Sequence, residues 1–403
     1  MDCVSPAKSH IHMQVSQPGC RAQVVLAIKF SRLCGLPSYP DLAKRVILTD
    51  MNLKLLEQLT TTPGVPGREH RIRDLILQSC QGLYDTHHVD ALGSLHLVRK
   101  PRLAKGKKPM RSPKKVMIAA HMDQIGFLVR AIDDKGFLWL TPVGGFDTRN
   151  LFARVVTVVP DIHDRDKDMT GIMNPGGKPV HIASEEDRKK IPQVGEFFVD
   201  MGLPVEQVKK QLNVGSMVVI NAPLYRIGQV VTGQCLDNRI ACWVAIEALK
   251  KLKTHRCEIH CVFTVQEEVG LRGAGPAAFH VQPDIGIALD TTLCCDTPGV
   301  PDNEAVTRQG QGTGLNVMDG SAIVDLDLLN DFEALAIKKK IKYQRTILHR
   351  GGTDAGTMQR AAAGFKVMTL LTPTRYIHTV TETVHQDDMA ASRDLLSAYL
   401  ASV

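Results

Sequence analysis

The sequence predicts an α/β fold in which a mainly parallel sheet, covered by helices on both faces, carries an inserted small all-β domain. Short apolar runs at 116–120, 259–265 and 285–289 are typical of fully buried strands. Amphipathic segments with the helical period alternate with these runs, which is the pattern of a layered α/β domain. Between residues 126 and 221 closely spaced short strands are separated by glycine, proline and aspartate turns, which favours a barrel-like insert.

These patterns divide the 403 residues into three regions. Residues 1–50 show no sustained period, so they form either a loosely ordered extension or an over-long start, since Met51 opens a cleaner pattern. Residues 51–125 and 222–403 are expected to form one α/β domain. Residues 126–221 are expected to form the β domain inserted into it.

The composition is that of an ordinary globular protein, with 44% hydrophobic and 23% charged residues. No apolar run is long enough to cross a bilayer, and no signal peptide is evident, so we expect no membrane partner. The ten cysteines show neither metal-ligand nor disulfide spacing. Buried free thiols in a reducing cytoplasm are the simpler interpretation.

A basic stretch accounts for more than the whole net charge of +7. Residues 99–115 carry nine positive charges and no acid, and their proline and glycine content indicates a loop. Because no aromatic residues are interleaved with the charges, a solvated loop is favoured over a nucleic-acid groove. We therefore expect no nucleic-acid partner.

The stretch 263–270 is the centre of the functional argument, because an apolar strand there ends in two adjacent carboxylates, Glu267 and Glu268. Side chains that leave a strand alternate in direction, so one glutamate can bind a metal while its neighbour faces a substrate. A solvated pair at a strand end is the alternative interpretation of these two residues.

Other potential ligands occupy equivalent places. His121 and Asp290 directly follow buried strands, and His378 follows one after a short loop. Asp237 opens a helix, where it either reaches the same sheet edge or caps the helix. Because ligands bind beyond the carboxyl ends of strands in an open sheet, these groups together predict a divalent metal site. The turn 351–355 either lines this site or only turns the chain.

Six motifs resemble the glutamyl and tetrahedral aminopeptidases, a family of co-catalytic binuclear metallopeptidases whose members are sometimes named cellulases or endoglucanases. The motifs are residues 120–127, 236–239, 266–273, 288–290, 351–355 and 375–378. Residues 178–181 and 198–202 also resemble the β domain of that family. The resemblance runs in order from about Met51 to the C-terminus and implies a zinc-peptidase-like fold.

The resemblance also implies a metal-dependent aminopeptidase that acts on peptides with a free N-terminus. It implies two divalent ions, zinc or cobalt most readily. It also implies a dimer-based homo-oligomer, with a dodecamer as the expected form, built through the insert. It gives roles to seven residues: Asp237 bridges the metals, His121 and Asp290 complete one site, Glu268 and His378 complete the other, Glu267 is the general base, and Asp123 orients His121.

Two alternative functions stay open from the residues alone. A glycoside hydrolase would use Glu267 and another carboxylate as acid and base without metal, although that chemistry needs no histidines. A non-catalytic assembly or binding protein on the same fold is the other alternative, although the complete set of proposed ligands disfavours it. Gln124 and Thr379 depart from the family pattern, but neither is a proposed ligand.

Overall fold

The computed structural model describes residues 51–108 and 110–403, so the expectation for residues 1–50 lies outside the described residues. The helices are α1 (Leu53–Thr61), α2 (His70–Ser79), α3 (Glu185–Lys189), α4 (Val205–Gln211), α5 (Leu236–Lys251), α6 (Ala274–Val281), α7 (Leu326–Lys339), α8 (Ala355–Arg360) and α9 (Gln386–Ser402). The first nine strands are β1 (Thr86–Val89), β2 (Leu95–Arg99), β3 (Lys115–His121), β4 (Gly126–Ile132), β5 (Leu138–Val143), β6 (Arg154–Val159), β7 (Met169–Pro175), β8 (Phe197–Asp200) and β9 (Met217–Ile220). The others are β10 (Tyr225–Ile227), β11 (Val230–Gly233), β12 (Glu258–Thr264), β13 (Ile285–Leu293), β14 (Thr313–Met318), β15 (Tyr343–Ile347), β16 (Val367–Arg375) and β17 (Glu382–His385).

The large sheet is mixed rather than mainly parallel, so that part of the fold prediction is not confirmed. Its order is β1-β2-β12-β3-β13-β16-β17-β11-β10, with β14 on β16 and β15 on β14. Only β12, β3, β13 and β16 form a continuous parallel core. The outer strands are joined to their neighbours by short connections, as in β1-β2, β10-β11 and β16-β17. Such short connections allow only antiparallel pairing.

Helices cover the parallel core on both faces, because residues along a strand alternate between the two sides of a sheet. On one face α6 and α8 pack against Met117, Ala119 and Ala288. Helix α5 packs against β3 and β13 from the other face, and α1 and α9 pack against α5. Trp243 lies on α5 and is completely buried.

A second core lies in a separate closed barrel of six antiparallel strands in the order β4-β5-β8-β7-β6-β9. Phe127, Val156, Val199 and Val218 are buried in its interior. Along β6 and β7 the buried residues alternate with more exposed ones, because successive side chains of a barrel strand point to the interior and to the exterior.

The basic stretch is shorter than its charge pattern indicated. Arg99 is the last residue of β2 and is buried, where its guanidinium donates to the carbonyls of Leu249 and Leu252. Lys115 is already the first residue of β3. Among the described residues, no helix is long and apolar enough to span a membrane.

The parallel core determines where the candidate ligands meet. Thr264 of β12 lies opposite His121 of β3, and Leu289 of β13 lies opposite Ala120. The three strands therefore reach the same edge of the sheet within about one residue of each other. That register brings the residues that follow β12 beside His121 and Asp290.

Candidate metal centre

His121 lies at the centre of a cluster of three carboxylates. Its Nε2 atom is 3.4 Å from Asp237 Oδ1, 3.7 Å from Asp290 Oδ1 and 3.8 Å from Glu267 Oε2. The imidazole is 2% exposed, so these carboxylates surround a nitrogen that is nearly inaccessible to water. The geometry leaves His121 Nε2 able to share a cation with any of the three.

Asp237 lies between two imidazoles. Its Oδ2 atom is 3.5 Å from His378 Nε2, while its Oδ1 atom faces His121. Although Asp237 is in the first turn of α5, its backbone is not helical, with φ −79° and ψ 106°. The side chain therefore turns to the sheet edge instead of capping the helix, which decides between the two interpretations of the sequence.

Asp123 holds the turn that carries the two glutamates. Its two oxygens accept hydrogen bonds from the N–H groups of Glu267 and Glu268, each at 3.1 Å. Asp123 is completely buried, and its Oδ1 atom is 3.5 Å from His121 Nδ1. The same carboxylate thus contacts the end of β3 and the turn after β12.

His378 is on a loop rather than a strand. It has φ 64°, in the left-handed region, as does Tyr376 with φ 60°. Its Nε2 atom is 3.2 Å from Glu268 Oε2, and its side chain is 34% exposed. Just before this loop Arg375 makes a bidentate pair with Asp296 at 2.6 and 2.7 Å.

The charges of these groups fit a divalent cation. Burial raises the pKa of Glu268 to about 7 and that of Asp290 to about 7, because neighbouring carboxylates add repulsion to the loss of water. Burial opposes a charged imidazole at His378, yet hydrogen bonds to Asp237 and Glu268 raise its pKa to about 11. Glu268 Oε1 is also buried without a hydrogen-bond partner among the described residues. The carboxylate oxygens and imidazole nitrogens of this site outnumber the hydrogen-bond donors around them. The atoms left over are of the kinds that bind such ions.

Two overlapping groups of potential ligands have all their ligand atoms within 4.8 Å of one another. One contains His121, Glu267 and Asp290, and the other contains His121, Asp237 and Glu268. His378 lies beside the second group. Both groups are built from residues that the sequence had singled out.

These residues open onto a cavity of about 680 Å³. Its other walls include apolar side chains, among them Leu271, Leu293, Leu348 and Ile377. Residues 351–353 also line the cavity, so this glycine turn borders the site as well as reversing the chain. The cavity can therefore hold a ligand with an apolar part next to the buried carboxylates.

Comparison with known families identifies the chain. The model of the M42 glutamyl aminopeptidases matches residues 103–395. The chain belongs to the M42 family. An aminopeptidase-named relative from Acetivibrio thermocellus is 37% identical over 343 residues, which cover 85% of this chain and 96% of the relative. This M42 chain is accordingly a metalloaminopeptidase, a hydrolase that acts on peptide bonds.

Two solved structures of peptidases are similar to this M42 protein. The aminopeptidase APDkam598 from Desulfurococcus kamchatkensis has a TM-score of 0.79 at 33% identity, covering 87% of this chain and 94% of its own. The TET1 peptidase of Pyrococcus horikoshii has a TM-score of 0.75 at 29% identity, covering 87% and 99%. The latter is described as assembling into a tetrahedron or a large octahedral shell.

Sequence reasoning missed one buried carboxylate in this M42 site. Glu382 is the first residue of β17 and accepts hydrogen bonds from the N–H groups of Asp237 and His378. A glutamate followed by threonine and valine at the start of a short strand was the available signal, because a buried strand rarely carries an acid without a partner. Its partners are backbone groups, which no sequence motif reveals.

Proposed function

We propose that this enzyme removes N-terminal residues from peptides with two divalent metal ions, zinc or cobalt, and with Glu267 as general base. Asp237 carries this proposal, because its two carboxylate oxygens face two different imidazoles at 3.4 and 3.5 Å. A carboxylate in that position can bridge two cations about 3.5–4 Å apart, the spacing of two-metal hydrolases. The M42 family membership supports the same reaction.

The ligands divide between the two metal positions on either side of Asp237. His121 and Asp290 would complete the first position, and Glu268 and His378 would complete the second. Glu267 lies close enough to His121 and Asp290 to bind a cation itself. We assign it to proton transfer because the first position has three ligands without it, which leaves room for substrate or water.

Bound divalent ions would polarise the scissile carbonyl and lower the pKa of a water molecule. The carboxylate of Glu267 would take up the proton that this water loses and return it to the leaving amine. The buried carboxylates would also attract the positively charged amino group of the substrate. Placing that amino group beside the site makes cleavage of the first peptide bond the favoured reaction.

The first experiment measures hydrolysis of a panel of aminoacyl-p-nitroanilides by metal-stripped protein before and after addition of Zn²⁺ or Co²⁺. We expect metal-dependent release from unblocked substrates and none from their N-acetylated counterparts. The panel also shows which N-terminal side chain is preferred. No release with any metal, or equal release from blocked substrates, would contradict the proposal.

The catalytic domain would comprise residues 51–125 and 222–403, and the insert at 126–221 would mediate dimerisation. Val155 of β6 lies opposite Ile172 of β7, and these outward-facing side chains are 48% and 54% exposed. Exposed apolar pairs on a barrel favour contact with another protein surface. The dodecamer and the larger shell described for the related TET1 peptidase support a dimer-based homo-oligomer here, with a dodecamer as the proposed form.

Light scattering tests the assembly with Val155→Lys and Ile172→Glu, which place charges on this apolar pair. We expect both variants to have a lower molar mass than the wild type. Val180→Lys is the control, since Val180 is exposed in a loop of the same domain. An unchanged mass for the first two variants would rule out this face as the dimer contact.

We also propose a cytoplasmic location. The support comes from the cysteines, since all seven in the described part of the chain are free thiols and six of them are buried. Reducing compartments favour such thiols. Fractionation of cells that express the tagged protein tests this location, and recovery outside the cytoplasm would contradict it.

A further inference from the structure

Glu382 links two segments of the site that are far apart in the sequence. One carboxylate oxygen accepts a hydrogen bond from the N–H group of Asp237 at 2.9 Å, and the other accepts one from His378 at 2.7 Å. The residue is 2% exposed. Both oxygens are therefore engaged by the backbones of site residues, and Glu382 itself does not line the cavity described above.

Neither N–H group has an acceptor in regular secondary structure. Asp237 lies in the first turn of α5, where the leading N–H groups have no intrahelical acceptor. His378 lies in the loop between β16 and β17 with left-handed dihedral angles. A side-chain acceptor is therefore what fixes the direction of both backbones.

The position of Glu382 is itself fixed by the sheet. Its backbone pairs with Gly233 of β11, in an antiparallel ladder that also pairs Val231 with Val384. Gly233 comes four residues before Asp237, and His378 comes four residues before Glu382. The Glu382 side chain thus joins the segment that leaves β11 towards Asp237 to the segment that runs from His378 into β17.

We propose that Glu382 is a positioning residue that sets the separation of Asp237 and His378, and with it the affinity of the metal position that they share. This inference rests on the proposed metal centre. Asp237 Oδ2 and His378 Nε2 are 3.5 Å apart, and ligand distances have to be met within about 0.2 Å. A shift of either backbone would therefore weaken metal binding even though both ligands remain.

Asp388 provides a matched control. It is completely buried on α9, and its two oxygens accept hydrogen bonds from the N–H groups of Gly310 at 2.8 Å and Gly312 at 2.7 Å. It therefore repeats the chemistry of Glu382 at a place that does not border the candidate metal centre. Asp388→Ala therefore shows how much the removal of such a buried carboxylate changes stability and metal affinity by itself.

The test titrates Co²⁺ into four metal-stripped proteins: the wild type, Glu382→Ala, Glu382→Gln and Asp388→Ala. The measurements are the heat of binding, the absorption of bound cobalt and the unfolding temperature of each stripped protein. At the metal position shared by Asp237 and His378, we expect Glu382→Ala to bind Co²⁺ about 10–100-fold less tightly than the wild type does. Glu382→Gln should lose less, because its amide oxygen can still accept one hydrogen bond. Asp388→Ala should unfold at a lower temperature and bind Co²⁺ as the wild type does.

Two results would overturn the inference: wild-type Co²⁺ affinity in both Glu382 variants, or an equal loss of affinity in Asp388→Ala. If Glu382→Ala does not fold, the nearly isosteric Glu382→Gln decides the question by itself. A wild-type protein that binds no Co²⁺ would contradict the metal centre and this inference with it. The two kinds of failure are therefore distinguishable.

Discussion

The two halves of the candidate metal centre are built differently. The half around His121 and Asp290 stands on parallel strands, with His121 the last residue of β3 and Asp290 within β13, which continues to Leu293. The His121 side chain is 2% exposed. The half around His378 stands on a loop between antiparallel strands, and that side chain is 34% exposed. One half is held by a backbone ladder, whereas the other is held by side chains.

The difference teaches which part of the site needs auxiliary residues. In the strand-borne half, the hydrogen bonds of β12, β3 and β13 already fix the ligand backbones. In the loop-borne half, the carboxylate of Glu382 and the pair between Arg375 and Asp296 perform that task. We therefore expect the loop-borne half to bind its ion less tightly and to respond more to substitutions outside the ligand set.

The largest expected effect is that of Glu267→Gln, which removes the proposed proton acceptor. A general base contributes about 10²- to 10⁴-fold, so kcat on the preferred aminoacyl-p-nitroanilide should fall by that factor. Metal content, measured by elemental analysis, should stay at the wild-type value. Glu258→Gln, at the opposite end of β12, is the control and should keep full activity. A fully active Glu267→Gln enzyme would disprove the assigned mechanism.

Replacement of each histidine separates the two halves directly. His121→Ala should remove the ion of the first position. It should also weaken the second, because the His121 imidazole lies within 4.8 Å of the potential ligand atoms of Asp237 and Glu268, so that bound metal falls below one ion per chain. His378→Ala should still retain about one ion per chain, because His378 borders only one metal position. Equilibrium dialysis against Co²⁺ measures both stoichiometries. His260→Ala on β12 is the control, and equal losses in the first two variants would remove the distinction between the halves.

Metal removal should destabilise the protein, and mainly in the loop-borne half. An ion that binds only the folded chain stabilises it by about 2.7 kcal/mol when its free concentration is 100 times its Kd. Chelation should therefore lower the unfolding temperature, and re-addition of Zn²⁺ should restore it. Hydrogen exchange should show more loss of protection at 375–382 than in β3. Uniform loss across both segments would contradict the comparison.

The smallest expected effect concerns the pair between Arg375 and Asp296. Burial acts to raise the pKa of Asp296, but hydrogen bonds from Arg375, Cys294 and the Gln309 N–H group, with the charge of Arg375, together lower it to about 2. Because its folded-state pKa is depressed, the pair stabilises the protein above the ordinary aspartate pKa, and this stability is lost as the pH falls towards 2. Asp296→Asn should therefore cost about 1 kcal/mol at pH 7, and this cost should shrink as the pH falls through 2.

Urea unfolding at several pH values measures this cost. Asp302→Asn is the control, since Asp302 makes an exposed ion pair with Arg308 and its replacement should leave the stability unchanged. If Asp296→Asn lowered the free energy of unfolding by the same amount at every pH, the ion pair with Arg375 would not be what stabilises the loop that carries His378.

The strand-borne half could be predicted from the sequence because apolar runs end directly at His121 and Asp290, and parallel strands end at one sheet edge. The mixed character of the sheet was missed, because edge strands such as β1 and β10 are too short and too exposed to show their direction. The role of Glu382 could not be predicted either. Its partners are backbone N–H groups whose positions depend on the fold, and the sequence alone does not distinguish a buried glutamate from a solvated one.

The chain passes between the α/β domain and the barrel through two connections that lie side by side. The chain enters along β4 and leaves along β9, where Phe127 lies opposite Val218 and Leu128 opposite Met217. Paired residues in such a ladder are about 5 Å apart, so the two connections form one narrow stem. A hairpin turn grafted across that stem would therefore remove the barrel and yield a shorter enzyme. Its α/β domain would need a polar replacement at Val65, which packs on Met217 and Val219. It would also need one at Arg71, which pairs with Asp168.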